Sequence, residues 1–286
     1  VDASLLLTGT NIIAVEIHQS SDTSSDISFD LELNGIMPSG GSGTLWPGIN
    51  RINIKAFDGP KGMGNVLESK YIDIWYDDGD VSYISGTLTD DTTLDAVSGP
   101  WHVTDELIVP AGTTLTIEPA ATLFFDAGAG IVVQQGGCLV ADGTEDERIR
   151  LARVPGSSLR WDGIQFNRTM EDNCLSYVDM EYGDDLTQAI KIDRTQLLID
   201  NMTWTRTNKN VLEVIHPYLI ARNCVFPDQD DEEAIHGHGL MGSEYLIIQG
   251  NTFGRPSGYQ DVIDFSDCHL PGPIIQIYDN VFLGSE

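Results

Sequence analysis

The sequence contains few cysteines and no long apolar run. Its four cysteines lie far apart and form neither a CxxC motif nor a Cys/His metal spacing, so neither a zinc site nor a redox motif is predicted. They occupy different positions of the repeat described below, so no disulfide column is predicted, and we expect most of them to be small core residues. There is no stretch of 18 apolar residues and no charged start followed by an apolar segment, which predicts neither a membrane span nor a signal peptide. We expect the chain to be a part of a longer protein.

Basic residues are also scarce. The chain has 15 Lys and Arg against 44 Asp and Glu, which gives a formal net charge of −29. Such a charge repels nucleic acid and anionic membrane surfaces, so we expect neither as a partner. Two interpretations of the acidity remain open, a solvated surface on an extracellular or salt-adapted protein and a dedicated cation-binding surface. Calcium is the expected cofactor in the second case, because Asp-rich turns supply the oxygen ligands that it prefers.

A short pattern, in which a polar residue precedes a hydrophobic or aromatic one, recurs in the second half of the chain. Its five copies are YVDMEY (177–182), IDNMTW (199–204), ARNCVF (221–226), QGNTFG (249–254) and YDNVFL (278–283). If Asp179, Asn201, Asn223, Asn251 and Asn280 are equivalent, the repeat has steps of 22, 22, 28 and 29 residues. One such step fits one coil of a right-handed parallel β-helix, in which side-chain amides stack and bond to the backbone of the next coil.

The first part of the chain has a different pattern. Residues 5–19 alternate like a half-buried strand, a second strand is predicted at 27–33, and the Gly/Ser-rich PSGGSG follows. Two further strands are predicted at 49–57 and 71–76. The fold class is therefore predicted to be all-β, a right-handed parallel β-helix with an N-terminal antiparallel β segment. The predicted domains are the last strands of a sandwich (1–37), a small Ig-like module (38–85) and the β-helix (86–286).

Several segments of the sequence resemble known protein modules. GTNIIAVEIH followed by SSDISFDLEL resembles the final strands of a galactose-binding-type β-sandwich, and the segment after it resembles an Ig-like module. VPAGTTLTIEPAATLFF, GGCLVADGTEDERIRLARV and WDGIQF look like the opening coils of β-helix domains in very large bacterial cell-surface or secreted proteins. The resemblance extends from Leu5 to Phe282 and implies a secreted or cell-surface location. The chain end departs from this resemblance, because Glu286 lies only six residues after Asn280, in the middle of a predicted coil; we therefore expect further coils or a partner to cover this edge.

Counting along the repeat predicts a candidate site. Eleven residues after each Asn-equivalent lie Ile190, Leu212, Ala234 and Val262, and thirteen residues after it lie Ile192, Val214, His236 and Asp264. Because residues two apart share a face of a strand, both columns are expected to face inward, with His236 next to Asp264 at about 4.8 Å. This pair is either a core histidine bonded to a carboxylate or an acid/base pair at a groove.

Other charged residues fall near this pair. Glu233 and Asp261, ten residues after the Asn-equivalent, are predicted to stack on the same two coils, and His236 and His238 have a spacing that could bind a metal ion. Together with the acidic loop before them, they make 228–267 the predicted region for a cation or a saccharide. The candidate calcium ligands are Asp77, Asp78, Asp80, Asp230 and Asp231.

Two classes of function follow. The favoured one is an extracellular structural or adhesive module that binds carbohydrate through aromatic residues, or assembles with other copies of itself. The candidate aromatic residues are Trp101, Trp161, Trp204 and Tyr259, and core positions are an equal alternative for Trp161 and Trp204. The alternative is a polysaccharide-degrading enzyme, with Glu233, Asp261, His236 and Asp264 as candidate catalytic residues. It would be a glycoside hydrolase with two carboxylates, or a lyase with a cation and a base, although lysine is scarce in the coil region. The candidate substrate-binding residues are Arg222, Arg255, Tyr259 and His238.

Overall fold

The computed structural model describes residues 45–58, 64–230, 232–257, 261–268 and 272–284. These residues form strands and turns without a helix, so none of them belongs to a helix that could cross a membrane. The sandwich strands predicted within 1–37 and the PSGGSG segment lie outside the described residues. The described chain divides into two compact units, one of residues 50–58 and 64–75, and one of residues 46–49 and those from 76 onward.

The first unit contains most of a small antiparallel sheet. This sheet pairs β1 (Gly48–Phe57) with β2 (Val66–Tyr76). Arg51 on β1 donates to Asp73 on β2 at 2.9 Å, and its guanidinium lies 3.6 Å from the centre of the Tyr71 ring. The predicted antiparallel β segment before the β-helix is therefore present.

The second unit is a parallel β-solenoid of about seven turns with three faces. The first face consists of β5 (Trp101–Val109), β8 (Ile131–Val133), β11 (Ile164–Asn167), β14 (Gln188–Asp193), β17 (Asn210–Ile215), β21 (Ile235–His238) and β25 (Ile263–Ser266). The second face consists of β4 (Thr92–Leu94), β6 (Thr114–Ile117), β9 (Cys138–Asp142), β12 (Asn173–Ser176), β15 (Gln196–Asp200), β18 (Tyr218–Arg222), β22 (Tyr245–Gln249) and β26 (Ile274–Tyr278). The third face consists of β7 (Thr122–Phe125), β10 (Ile149–Arg153), β13 (Val178–Glu181), β16 (Thr203–Thr205), β19 (Val225–Phe226), β23 (Thr252–Phe253) and β27 (Val281–Phe282).

The remaining strands extend this arrangement. β3 (Ser82–Thr87) pairs in parallel with β5, and β5 continues into both the first and the third face through β8 and β7. A short ladder joins β20 (Gln229–Asp230) to β24 (Pro256–Ser257). The all-β class and the parallel β-helix predicted from the repeat are confirmed.

The core is a stack of inward-facing side chains from successive coils. Leu197, Leu219 and Leu246 follow one another on the second face, and all three are buried. On the third face the stack is aromatic, since Phe226 packs on Phe253 with ring centres 4.5 Å apart. Trp161 and Trp204 are fully buried, so they are core residues and not glycan-binding platforms. Each large apolar side chain buried in this way contributes about 1.5–3 kcal/mol.

The four cysteines differ in burial more than predicted. Cys224 is buried, and burial raises the pKa of its thiol to about 12. Cys138 and Cys174 are half-buried on the outer surface of the second face, and Cys268 is exposed. All four are free thiols, as expected from the absence of a stacked column. The prediction that most of them fill the core holds for Cys224 alone.

The five Asn-equivalents do not form one ladder. Asp179 pairs with Thr203, whereas Asn201 and Asn223 occupy a left-handed turn position with φ of 52° and 56°. Asn251 and Asn280 lie one position later, after the turn residues Gly250 and Asp279. The predicted amide ladder is present between these last two. The equivalence was wrong elsewhere because adjacent turn positions both accept polar residues, so a polar residue before an apolar one does not identify the position.

Candidate functional site

An outward column of polar side chains runs along the first face. Backbone register pairs each member with the next, and the members are Gln165, Lys191, Glu213, His236 and Asp264. Neighbouring members lie on strands about 4.8 Å apart. The column therefore presents charges of both signs at the spacing of the coils.

The structure corrects the predicted orientation of His236 and Asp264. They do lie opposite each other on adjacent strands, but the residue before His236 in its column is Glu213, not Val214. Val214 pairs instead with Gly237, so this coil is one residue longer than the predicted step. A shift of one residue moves every side chain of a strand to the other face. His236 and Asp264 thus face outward and do not interrupt the aliphatic core.

Glu233 joins this pair. Among the residues that the structure describes, only Glu233, His236 and Asp264 bring three potential metal-ligating atoms within 4.8 Å of one another. Glu233 Oε2 lies 3.7 Å from His236 Nδ1, and the Glu233 side chain is only 12% exposed. The backbone N–H of Glu233 donates to Asn210 Oδ1 at 3.0 Å, which fixes the segment before β21 to the preceding coil. We call Glu233, His236 and Asp264 the first-face triad.

Asp261 and His238 lie apart from the first-face triad. Asp261 is exposed and is not among the converging groups. His238 occupies the next outward column, with its ring centre 5.7 Å from that of His236. Its Nε2 is inaccessible and has no hydrogen-bond partner among the described residues. The predicted set of catalytic residues is therefore divided, with Asp261 on the exposed chain before β25.

The predicted substrate-binding arginines do not converge on the triad. Arg222 belongs to the second face, and its Nε donates to Asp200 Oδ2 at 2.8 Å; this hydrogen bond and the negative charge of Asp200 raise the pKa of the Arg222 guanidinium. Arg255 is exposed, and its backbone N–H donates to Asp228 at 2.7 Å. Tyr259 lies outside the described residues.

The predicted calcium ligands make local turns. Asp77 accepts a hydrogen bond from the backbone N–H of Gly79 at 2.8 Å, and Asp78 accepts one from Asp80 at 3.1 Å. These carboxylates are exposed, and each closes a turn with the residue two positions on. Asp230 accepts a hydrogen bond from the Ser257 hydroxyl at 2.6 Å, and Asp231 lies outside the described residues. Calcium binding stays a prediction.

The second face carries an outward surface that sequence reasoning missed. Its central column is apolar and half-buried, and consists of Val140, Cys174, Leu198, Ile220 and Ile247. Tyr218 and Tyr245 lie beside it with ring centres 5.7 Å apart, and Asp200, Arg222 and Gln249 lie on its other side. We call this the second-face strip. The signal was present in QLLID, YLIAR and YLIIQ, whose continuous apolar runs place apolar side chains on both faces of a strand.

Comparisons with known proteins returned no match: no protein-family model, curated protein or solved structure is significantly similar to the chain.

Proposed function

We propose that this protein is an extracellular structural or adhesive module that binds a neutral polysaccharide along the second-face strip. The supporting observation is the combination, on one outward sheet surface, of an apolar column with tyrosines on one side and hydrogen-bonding side chains on the other. Sugar rings pack their C–H groups on apolar and aromatic side chains. Their hydroxyls exchange hydrogen bonds with carboxylate, guanidinium and amide groups such as those of Asp200, Arg222 and Gln249.

Charge favours a neutral glycan over other partners. Two chains of net charge −29 repel each other, and so do this chain and a uronic acid polymer. Calcium would be needed to bridge the latter, and the Asp77, Asp78 and Asp80 turn is the proposed place for it. The secreted or cell-surface location and the multidomain parent rest on the resemblance of the opening coils to those of bacterial surface proteins.

The experiment is a binding measurement with immobilised neutral and uronic acid polysaccharides, with and without calcium. We expect Tyr218→Ala and Tyr245→Ala to weaken binding of the neutral polymer by about tenfold each, equivalent to about 1.4 kcal/mol. Tyr83→Ala is the matched control, because Tyr83 is a 68% exposed tyrosine outside the second-face strip. Undiminished binding by the two strip variants would refute the proposed surface.

A second candidate function is polysaccharide cleavage at the first-face triad. It is favoured by the two carboxylates beside an imidazole, because glycoside hydrolysis uses two carboxyl groups and retaining enzymes hold them about 5–5.5 Å apart. The same incubations therefore include assays for new reducing ends and for the ultraviolet absorbance of unsaturated products. Reducing ends that disappear in Glu233→Gln and Asp264→Asn would establish an enzyme in place of a binding module.

A further inference from the structure

Two carboxylates and an imidazole converge on the outer surface of the first face without forming hydrogen bonds to one another. Glu233 Oε2 and His236 Nδ1 are 3.7 Å apart, which is longer than a hydrogen bond. Among the described groups, none donates a hydrogen bond to the carboxylate of Glu233 or Asp264. Bringing two carboxylates together with one of them 88% buried costs free energy unless a cation lies between them.

The backbone holds these donors in place. His236 and Asp264 are directly opposite each other in the parallel ladder between β21 and β25, so their side chains leave the sheet side by side. Glu233 approaches from the segment before β21, where its backbone N–H donates to Asn210 Oδ1. Glu213, opposite His236 on the other side, adds a further carboxylate to the same column. Two of the three donors therefore lie on paired strands of the sheet, and the third lies in the segment just before β21.

We infer that Glu233, His236 and Asp264 bind one divalent transition metal ion, with Zn²⁺ the best-fitting representative. One nitrogen and two carboxylate oxygens are a donor set that zinc accepts, whereas calcium and magnesium prefer oxygen alone. Ligands of a tetrahedral zinc ion are roughly 3.4 Å apart, as follows from Zn–N and Zn–O distances of about 2.0–2.2 Å. The three donor atoms lie within 4.8 Å of one another, so side-chain rotations that move them by about 1 Å bring them to this geometry. Three protein ligands leave a fourth position for water or an exogenous ligand.

This inference is independent of the proposed glycan binding, because the first-face triad and the second-face strip lie on different faces; the cleavage candidate concerns the same triad and is read out separately, by reducing ends. The test is a titration of the full chain, freed of metal with a chelator, with Zn²⁺ in competition with a chromogenic zinc chelator. We expect one tight Zn²⁺ ion per chain that excess Ca²⁺ and Mg²⁺ do not displace. His236→Ala, Glu233→Gln and Asp264→Asn are each expected to weaken Zn²⁺ binding by about tenfold to 100-fold or more, because losing a ligand costs at least as much as losing a group that hydrogen-bonds to a ligand.

His238→Ala is the matched control, since it removes the neighbouring imidazole and leaves the triad intact. It is expected to bind Zn²⁺ as the native chain does. All the substituted side chains face outward, and circular dichroism with a thermal midpoint checks that each variant is folded. If His236→Ala fails to fold, the nearly isosteric Glu233→Gln and Asp264→Asn decide the question. The inference is overturned if the native chain binds no stoichiometric Zn²⁺, if the folded triad variants keep its affinity, or if His238→Ala weakens binding as much as His236→Ala does.

Discussion

Asp179 shows at the scale of one residue how the solenoid tolerates its acidic composition. Its carboxylate is buried on the third face and accepts hydrogen bonds from Arg148, at 2.7 Å, and from Arg150. Arg148 also donates to the backbone oxygen of Asn201, on the following coil. The few basic residues are therefore used, in part, to neutralise carboxylates that the packing of coils has removed from water.

Replacing this carboxylate tests that arrangement. We expect Asp179→Ala to lower the free energy of unfolding by about 3–5 kcal/mol, because two nearly buried guanidinium groups lose their counter-charge. Urea denaturation followed by circular dichroism measures the change.

The control is Asp193→Ala, which removes a carboxylate that pairs with the exposed Arg168 and Arg194. Pairs of this kind contribute about 0–1 kcal/mol. Equal effects of the two substitutions would show that burial of the Asp179 ion pair has no consequence for stability.

At the scale of an element, the turn between the second and third faces is held by an amide ladder. Asn251 is fully buried; its Oδ1 accepts from the N–H of Cys224, and its Nδ2 donates to the oxygen of Ala221 and to Oδ1 of Asn280. Asn280 in turn donates to the oxygen of Ile248. One side chain thus satisfies backbone groups of the preceding coil and contacts the amide of the next.

We expect Asn251→Ala to destabilise the protein by about 2–4 kcal/mol. The reason is that the Cys224 N–H and the Ala221 oxygen lose their side-chain partner, at about 1–3 kcal/mol for each group left unsatisfied. The measurement is again chemical denaturation.

Asn223→Gly is the comparison. This asparagine is exposed and has a φ of 56°, which glycine adopts without strain, so a change of at most about 1 kcal/mol is expected. If Asn251→Ala proved as mild as Asn223→Gly, the ladder would be incidental to the fold.

At the scale of the whole molecule, the net charge of −29 opposes compaction. We expect the thermal midpoint to rise when sodium chloride is increased from about 10 mM to about 150 mM, because the Debye length falls from about 30 Å to about 8 Å and screens repulsion among the carboxylates. Differential scanning calorimetry measures it. A falling midpoint would mean instead that attractive surface ion pairs dominate.

The same scans separate calcium binding from screening. Calcium and magnesium chloride are compared at matched ionic strength, so that a higher midpoint with calcium alone would identify a specific site. Equal midpoints would assign the whole effect to screening.

Much of the architecture follows from the sequence because it depends on local pattern. Short apolar runs separated by turn residues, repeating every 22 to 29 residues, predict stacked coils. The predicted neighbours His236 and Asp264 were found opposite each other, although His236 lies 13 residues beyond the turn residue Asn223 and Asp264 lies 14 beyond Gly250, so counting from the turns does not explain this pairing.

The face that a side chain occupies was decided only by the tertiary structure. One additional residue between Val214 and Gly237 turned His236 outward, and the sequence alone does not show in which turn that residue is absorbed. Likewise the tertiary structure places Glu233, and not Asp261, beside His236 and Asp264. It also pairs Asp179 with Arg148, which belongs to another coil. The sequence determines the repeat length of the coil, because this depends on local pattern. Whether a turn contains an odd or an even number of residues decides which face each side chain occupies, and this, together with the contacts between coils, is settled only when the coils stack.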